Sequence, residues 1–384
     1  MTRRSYDVIV VGLGGMGSAA AYHLSRRGQR VLGLEQFGRV HDRGSSHGGS
    51  RLIRHACYED PAYVPLVQRA LGLWRELEES SGEKVLLNTG VLVLGSPDCP
   101  RVIGAQAVAA QFGLDHEMLS APAIRRRFPT LLPSDDTVAY YEAGAGVLHP
   151  ERAVAAHLDL AEAAGAEFHF VEPVVEWSGN GGGGLTVRTE AGSYSAGRLV
   201  VCPGAWAPDL LGDLRIRLTP QRLVVTRFQP EGGVTPFLPD RSPVWLWDTG
   251  TNSELGFAGL LYGFPALDGP DGGVKLSQVD ERPCTAGTVD RVVTAAEIED
   301  VAAALRSHLT VALGPVVEAR VCMWVNTPDH HFVLGPLPEE PEVIVAAGCS
   351  GHGFKYVPVI GEILAELVVD GKTSHSVALF DPGR

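Results

Sequence analysis

The residues with the most chemistry to offer fall in a few short runs. Near the N-terminus, Gly12-Leu13-Gly14-Gly15-Met16-Gly17 sets three glycines at G-x-G-x-x-G spacing. Gly12 permits a tight turn, Gly14 lets a pyrophosphate approach the backbone, and Gly17 lets the following helix pack closely. The start of that helix offers N–H groups and a favourable dipole to an anion. Glu35 ends the next apolar run, where a carboxylate can accept hydrogen bonds from both ribose hydroxyls and repel a 2′-phosphate. The spacing by itself is weak, because the chain holds 46 glycines. A strand before it, a helix after it and the acid beyond it predict a site for the ADP half of a dinucleotide.

Other groups could complete such a site. Gly44-Ser45-Ser46-His-Gly-Gly-Ser-Arg51-Leu-Ile-Arg54 is an extended Gly/Ser stretch, whose N–H groups can meet pyrophosphate or ring oxygens; composition alone also allows an exposed loop. Arg54 and Lys355 suit a carboxylate, one as a planar fork and the other as a point charge, although a surface ion pair has the same composition. Tyr262 stands in an apolar segment where an aromatic residue is as often core as site. Lys275 closes a short strand and can be a surface cation. Cys322, taken singly, reads as a buried apolar residue.

The elements that must position these groups can be traced along the chain. Tyr6–Val11 is a buried parallel strand by composition, and the segment from Ser18 to Gly28 is a helix with cations in its last turn and a terminating glycine. Arg30–Leu34 forms a second strand. Gly181 to Gly184 reads as the turn of a hairpin between strands at 174–178 and 185–189. Further strands are expected before Cys202, at 222–226, at 244–248 and at Val343–Ala347, followed by an amphipathic helix over 358–369.

Bulk properties exclude whole classes. The chain has 384 residues, a formal net charge of −13, 45% apolar residues and 20% charged residues, a globular composition unsuited to a polyphosphate partner. The cysteines at 57, 99, 202, 284, 322 and 349 are far apart, with no C-x-x-C, so reduced thiols and a cytoplasmic location are expected. Arg3 and Arg4 before an apolar run imitate a signal peptide, but glycines interrupt that run. No stretch reaches the roughly 20 apolar residues that span a bilayer. Neither a membrane nor nucleic acid is an expected partner, and no metal site is expected.

Read with the glycine loop, GSSHGGSRLIRHA resembles the monomeric sarcosine oxidase and N-methyltryptophan oxidase family of FAD-dependent amine oxidases. Tyr262-Gly-Phe-Pro with Val274-Lys275-Leu276, Cys322-Met-Trp-Val-Asn-Thr-Pro-Asp, and Ala347-Gly-Cys-Ser-Gly351-His-Gly353-Phe-Lys355 continue the likeness in order. The resemblance implies an α/β fold, α+β overall. A Rossmann-like FAD-binding domain (1–85, 151–215 and 321–384) is interleaved with an antiparallel-sheet substrate-binding domain (86–150 and 216–320). It implies FAD contacts at Ser45, Ser46, Gly351, Gly353 and Lys355, with Val174 flanking the adenine. It also implies a thioether from Cys322 to the 8-methyl carbon of the flavin, a carboxylate clamp of Arg54 and Lys355, and Arg51 near the flavin ring. Tyr262 would lie over the substrate pocket, and Lys275 would speed reaction with dioxygen. The expected activity is oxidation of a secondary amino acid to an imine, with dioxygen reduced to hydrogen peroxide by a monomeric enzyme. A dehydrogenase passing electrons to a quinone or carrier is the alternative, and a dinucleotide-binding protein without catalysis is a third reading.

The pattern breaks at the substrate. Where a histidine usually follows the lysine by four positions, the chain has Val279, which cannot hydrogen-bond a bound amine. Trp324 stands where tyrosine is expected, and the loop from Tyr262 to Lys275 is longer than usual. These departures point away from sarcosine, toward a different secondary or cyclic amino acid with the carboxylate clamp retained.

Overall fold

A continuously apolar run suits a strand covered on both faces, and the run ending at Val11 takes that place in the computed structural model, which describes residues 5–179, 184–212, 214–250 and 259–384. Strand β1 (Ser5–Val11) pairs in parallel with β2 (Val31–Glu35) on one side and with Ser193–Val201 on the other. Glu167–Phe170 extends the parallel sheet beyond β2, and Val343–Ala347 extends it beyond Ser193–Val201. Val8, Ile9 and Val10 have no exposed surface; such burial contributes about 1.5–3 kcal/mol for each large aliphatic side chain. The hairpin Val174–Gly179 and Leu185–Thr189 joins one edge in antiparallel fashion. Most of its expected turn, residues 181–183, lies outside the described residues.

Helix α1 (Gly15–Arg26) starts inside the glycine loop, three residues before the expected Ser18. Its cap, Gly14, has no side chain to accept a hydrogen bond from the first turn, which favours an outside acceptor there. On the outer side, α1 packs against the helices Pro150–Ala163 and Val357–Asp370. None of the described helices is long and apolar enough to cross a membrane.

A second sheet is built around Thr219–Phe228, which runs antiparallel to Val316–Asn326 along its whole length and also pairs with Val274–Gln278. The sheet continues through Leu261–Gly263, Val244–Trp247, Val91–Gly95, Val138–Glu142 and Glu117–Ser120. One pair is parallel, Val244–Trp247 with Val91–Gly95, an arrangement that distant segments permit and a tight hairpin does not. Helix Ala295–Arg306, started by a Thr294/Glu297 capping box, covers this sheet's core of Leu92, Phe228, Trp245 and Leu276. A small third sheet of Arg51–Ile53, Gly146–Leu148 and Leu86–Asn88 sets Arg51 opposite Leu148.

Candidate active site

One cavity runs from the carboxyl ends of β1 and β2 to the inner face of the second sheet, and the glycine loop forms one end of it. Gly12 has φ +84°, and a Cβ there would lie 2.3 Å from the carbonyl oxygen of Cys202. A Cβ on Gly17 would lie 1.7 Å from the carbonyl oxygen of Gly12, so any side chain would push helix and strand apart. Gly17 serves this packing, whereas Gly12 and Gly14 line the cavity. Gly14 faces open space, with Ser46 Oγ as the nearest contact at 3.6 Å.

Glu35 is buried at the end of β2 and also lines the cavity. Its Oε2 accepts from the Leu13 N–H at 2.8 Å and its Oε1 from the Phe37 N–H at 3.0 Å, with His41 Nε2 3.4 Å away. These bonds fix the carboxylate while leaving lone pairs for hydroxyl donors. Val174 stands on the cavity wall in the hairpin strand Val174–Gly179.

The Gly/Ser stretch crosses the middle of the cavity. Ser46 Oγ accepts from the Gly15 N–H at 3.0 Å, and Ser45 Oγ donates to the Met323 carbonyl, which ties the loop to both sheets. Arg51 Nη2 approaches Cys322 Sγ at 3.7 Å. Burial raises the pKa of the Cys322 thiol, but His47, Arg51 and Lys275 outweigh it and bring the pKa down to about 6. A thiol so placed is largely thiolate at neutral pH and therefore nucleophilic.

Lys275 is buried beside it. Its Nζ donates to the carbonyls of Gly48 and Ser50 at 3.2 and 3.1 Å and to Ser50 Oγ at 3.2 Å, and lies 4.8 Å from the centre of the Phe264 ring. Burial, with Arg51 nearby, pulls its pKa well below the ordinary lysine range. An anion arriving next to it would favour the charged ammonium.

Arg54 and Lys355 sit together on the cavity wall, both almost wholly buried. Arg54 Nη2 meets Glu59 Oε1 at 2.5 Å, Nη1 donates to the Ala56 carbonyl, and the guanidinium carbon lies 3.8 Å from the centre of the Tyr58 ring. Lys355 Nζ donates to the His352 carbonyl at 2.7 Å, and burial brings its pKa to about 8. Tyr262 lines the same cavity, and burial pushes its phenol to about 12. Gly351 and Gly353 form the adjoining wall. The structure thus gathers every residue proposed from the sequence around this cavity, with Gly17 just behind its loop.

These groups fit FAD: a glycine cradle and a helix N-terminus for the pyrophosphate, Glu35 for the ribose, and a thiol beside Arg51 and Lys275. The family of FAD-dependent oxidoreductases matches residues 7–367. The chain belongs to this family.

Within the family, the monomeric sarcosine oxidase of Streptomyces avermitilis is 50% identical over 382 residues, covering 99% of this chain and 98% of that protein. The N-methyl-L-tryptophan oxidase of Salmonella agona is 35% identical over 378 residues, covering 96% of this chain and 95% of that protein. The solved structure of NikD, an unusual amino acid oxidase essential for nikkomycin biosynthesis, matches with a TM-score of 0.86 and 27% identity, covering 99% of this chain and 98% of that one. The first two bear the names of the group that the sequence motifs resemble.

Sequence reasoning passed over Glu59, His47 and Ser50. Glu59 follows Arg54 by five positions, in reach of a loop ion pair. His47 and Ser50 lie inside the quoted GSSHGGSR run but carry no spacing signal of their own.

Proposed function

We propose that this FAD-dependent oxidoreductase oxidises the C–N bond of a small carboxylated secondary amine, an N-alkyl or cyclic amino acid, to an imine. Dioxygen takes up the two electrons and two protons as hydrogen peroxide. The observation that carries this reading is the convergence of the glycine loop, Cys322 and Lys275, and the buried cations Arg54 and Lys355 on one cavity. The N-methyl amino acids in the names of two relatives, and the amino acid oxidase named in a third, agree with it.

Bound FAD supplies the two-electron acceptor. The chain's own residues do the rest. Arg54 and Lys355 hold the carboxylate and so aim the carbon next to nitrogen at the acceptor. Two cations in a buried cavity disfavour a protonated amine, so the substrate reacts as the neutral base. Tyr262 covers the substrate, Arg51 faces the ring, and Lys275 stabilises the negative charge that develops on dioxygen. Cys322 is the point of covalent attachment. Ser45, Ser46, Gly351 and Gly353 contact the cofactor, and Val174 flanks the adenine. In this reading 1–85, 151–215 and 321–384 hold FAD while 86–150 and 216–320 cover the substrate, in a monomeric cytoplasmic enzyme.

The test is a peroxide-coupled screen of N-alkyl and cyclic amino acids in air. Peroxide formed in step with substrate supports the oxidase. Flavin reduction by an amine with no peroxide, and reoxidation by a quinone, moves the reading to a dehydrogenase. A protein that stays colourless after flavin supplementation contradicts both. Acid precipitation reports on Cys322 separately, since yellow colour retained in the pellet marks a covalent flavin.

A further inference from the structure

Beyond the groups that hold carboxylate and cofactor, the cavity has a wall with no assigned task. Leu223, Leu246, Leu260 and Val279 form one buried apolar cluster, with Tyr262 and Trp324 packed against it, and all six line the cavity. Strand pairing and backbone hydrogen bonds set their placement. Leu246 lies opposite Tyr262 on neighbouring strands, and Leu223 opposite Cys322. The Val279 N–H donates to the Leu260 carbonyl at 2.8 Å, and the Gly259 N–H to the Val279 carbonyl at 2.8 Å. Gly351, at φ +77°, lets the Trp324 indole lie against the backbone, since a Cβ there would sit 3.1 Å from the ring.

We propose that this wall selects amino acids bearing an apolar ring or branched alkyl group, and disfavours N-methylglycine. The inference rests on the oxidase reading for its chemistry and on the wall for its selectivity. A carboxylate held by Arg54 and Lys355 places the rest of a small amino acid in the same cavity as the leucines and Val279. The polar atoms of the wall are the Tyr262 hydroxyl and the Trp324 indole N–H at its margin, so a polar substituent placed among Leu223, Leu246, Leu260 and Val279 meets only hydrocarbon and is left unsatisfied. N-methylglycine has only one methyl group to place there. In a fitted apolar pocket each further methylene is worth roughly tenfold or more in selectivity. Carbons that fill the space between Leu246, Leu260 and Val279 should therefore dominate discrimination.

The experiment uses the holoenzyme and two probes that lack an oxidisable C–N bond, acetate and cyclohexanecarboxylate, with binding read from the visible spectrum of the flavin. Cyclohexanecarboxylate is expected to bind at least a hundredfold more tightly than acetate, and Arg54→Met to weaken both. Val279→Thr, nearly the same in shape, and Leu246→Asn should each cut the preference severalfold while leaving acetate unchanged; the valine variant serves if Leu246→Asn does not fold. Equal binding of the two probes within about threefold overturns the proposal. Anaerobic reduction separates the two levels of the account. Reduction by cyclic or branched N-methyl amino acids in preference to sarcosine supports this inference and the amine oxidation it rests on, preference for sarcosine overturns this inference alone, and probe binding without reduction by any amine overturns the oxidase reading alone.

Discussion

Arg54 Nη2 and Glu59 Oε1 form a 2.5 Å ion pair in which both side chains are buried, at the edge of the cavity that also holds Lys355. Burial works to raise the pKa of Glu59, but Arg54, Lys355 and His352 outweigh it and hold the carboxyl well below the usual range. The pair gives the guanidinium a counter-charge, and a substrate carboxylate would have to share or replace it.

Two substitutions follow from this geometry. Arg54→Met should raise KM for a carboxylated amine by about a hundredfold, as expected for a lost charge-assisted pair of about 2–3 kcal/mol. Glu59→Gln leaves Arg54 buried without its counter-charge and should cost about 3–5 kcal/mol of stability in the ligand-free protein. Carboxylate binding should then restore more stability to Glu59→Gln than to the parent. Steady-state kinetics check the first outcome, and thermal melts with and without a carboxylate check the second.

Cys322→Ala should yield a protein that binds FAD reversibly and gives a colourless pellet in acid. In the parent, the rate of flavin attachment should be flat above pH 7 and fall below about pH 6, as the thiolate is protonated. Arg51→Met should shift that fall to higher pH, because Arg51 is one of the groups that lower the thiol's pKa. Reconstitution of the apoprotein followed by pellet colour gives the rate.

Lys275→Met should slow reoxidation of the reduced enzyme by dioxygen about a thousandfold. A cation about 4 Å from a developing anion is worth about 4 kcal/mol at an effective dielectric of about 20. Substrate reduction of the flavin should change far less. Stopped-flow absorbance of the two half-reactions separates these effects, and equal slowing of both would argue for a structural role through Gly48 and Ser50 instead.

His23, half-buried, and His157, buried, lie near each other where α1 meets the helix Pro150–Ala163. Burial lowers their pKa values to about 4 and about 3; Glu362 works against this for His23, whereas Arg26, Arg69 and the neighbouring histidine add to it. Their folded values lie below the unfolded 6.5, so the unfolded chain binds more protons between the two. Stability should therefore be full above about pH 6.5 and fall as pH drops toward 4, by on the order of a few kcal/mol. The paired carboxylates, such as Glu362 and Glu297, are lowered from 4.5 to about 2 and withdraw stability only at lower pH. Urea midpoints between pH 7 and 5 isolate the histidines, and His157→Leu should flatten the slope.

The sequence made the cofactor end most legible because its constraints are local. Gly12, Gly14, Gly17 and Glu35 occupy one strand-turn-helix-strand unit, and each has a steric or hydrogen-bonding reason that spacing exposes. The position of Cys322 depends instead on pairing of Val316–Asn326 with Thr219–Phe228, strands nearly a hundred residues apart. No periodicity in either strand specifies that partner. The apolar wall was hidden for a similar reason, since Leu223, Leu246, Leu260 and Val279 read as ordinary core residues until the strands meet. Val279 stood out as a departure from a motif, as did Trp324, packed against the wall.

The measurement that tests the central claim most directly is a single turnover of the holoenzyme. A cyclic or N-methyl apolar amino acid is added without air until the flavin is bleached, air is admitted, and peroxide and imine-derived product are counted. One peroxide and one oxidised amine per flavin, with the yellow colour restored, is the predicted result. A flavin bleached by the amine that stays reduced in air, or recolours without peroxide, would contradict it.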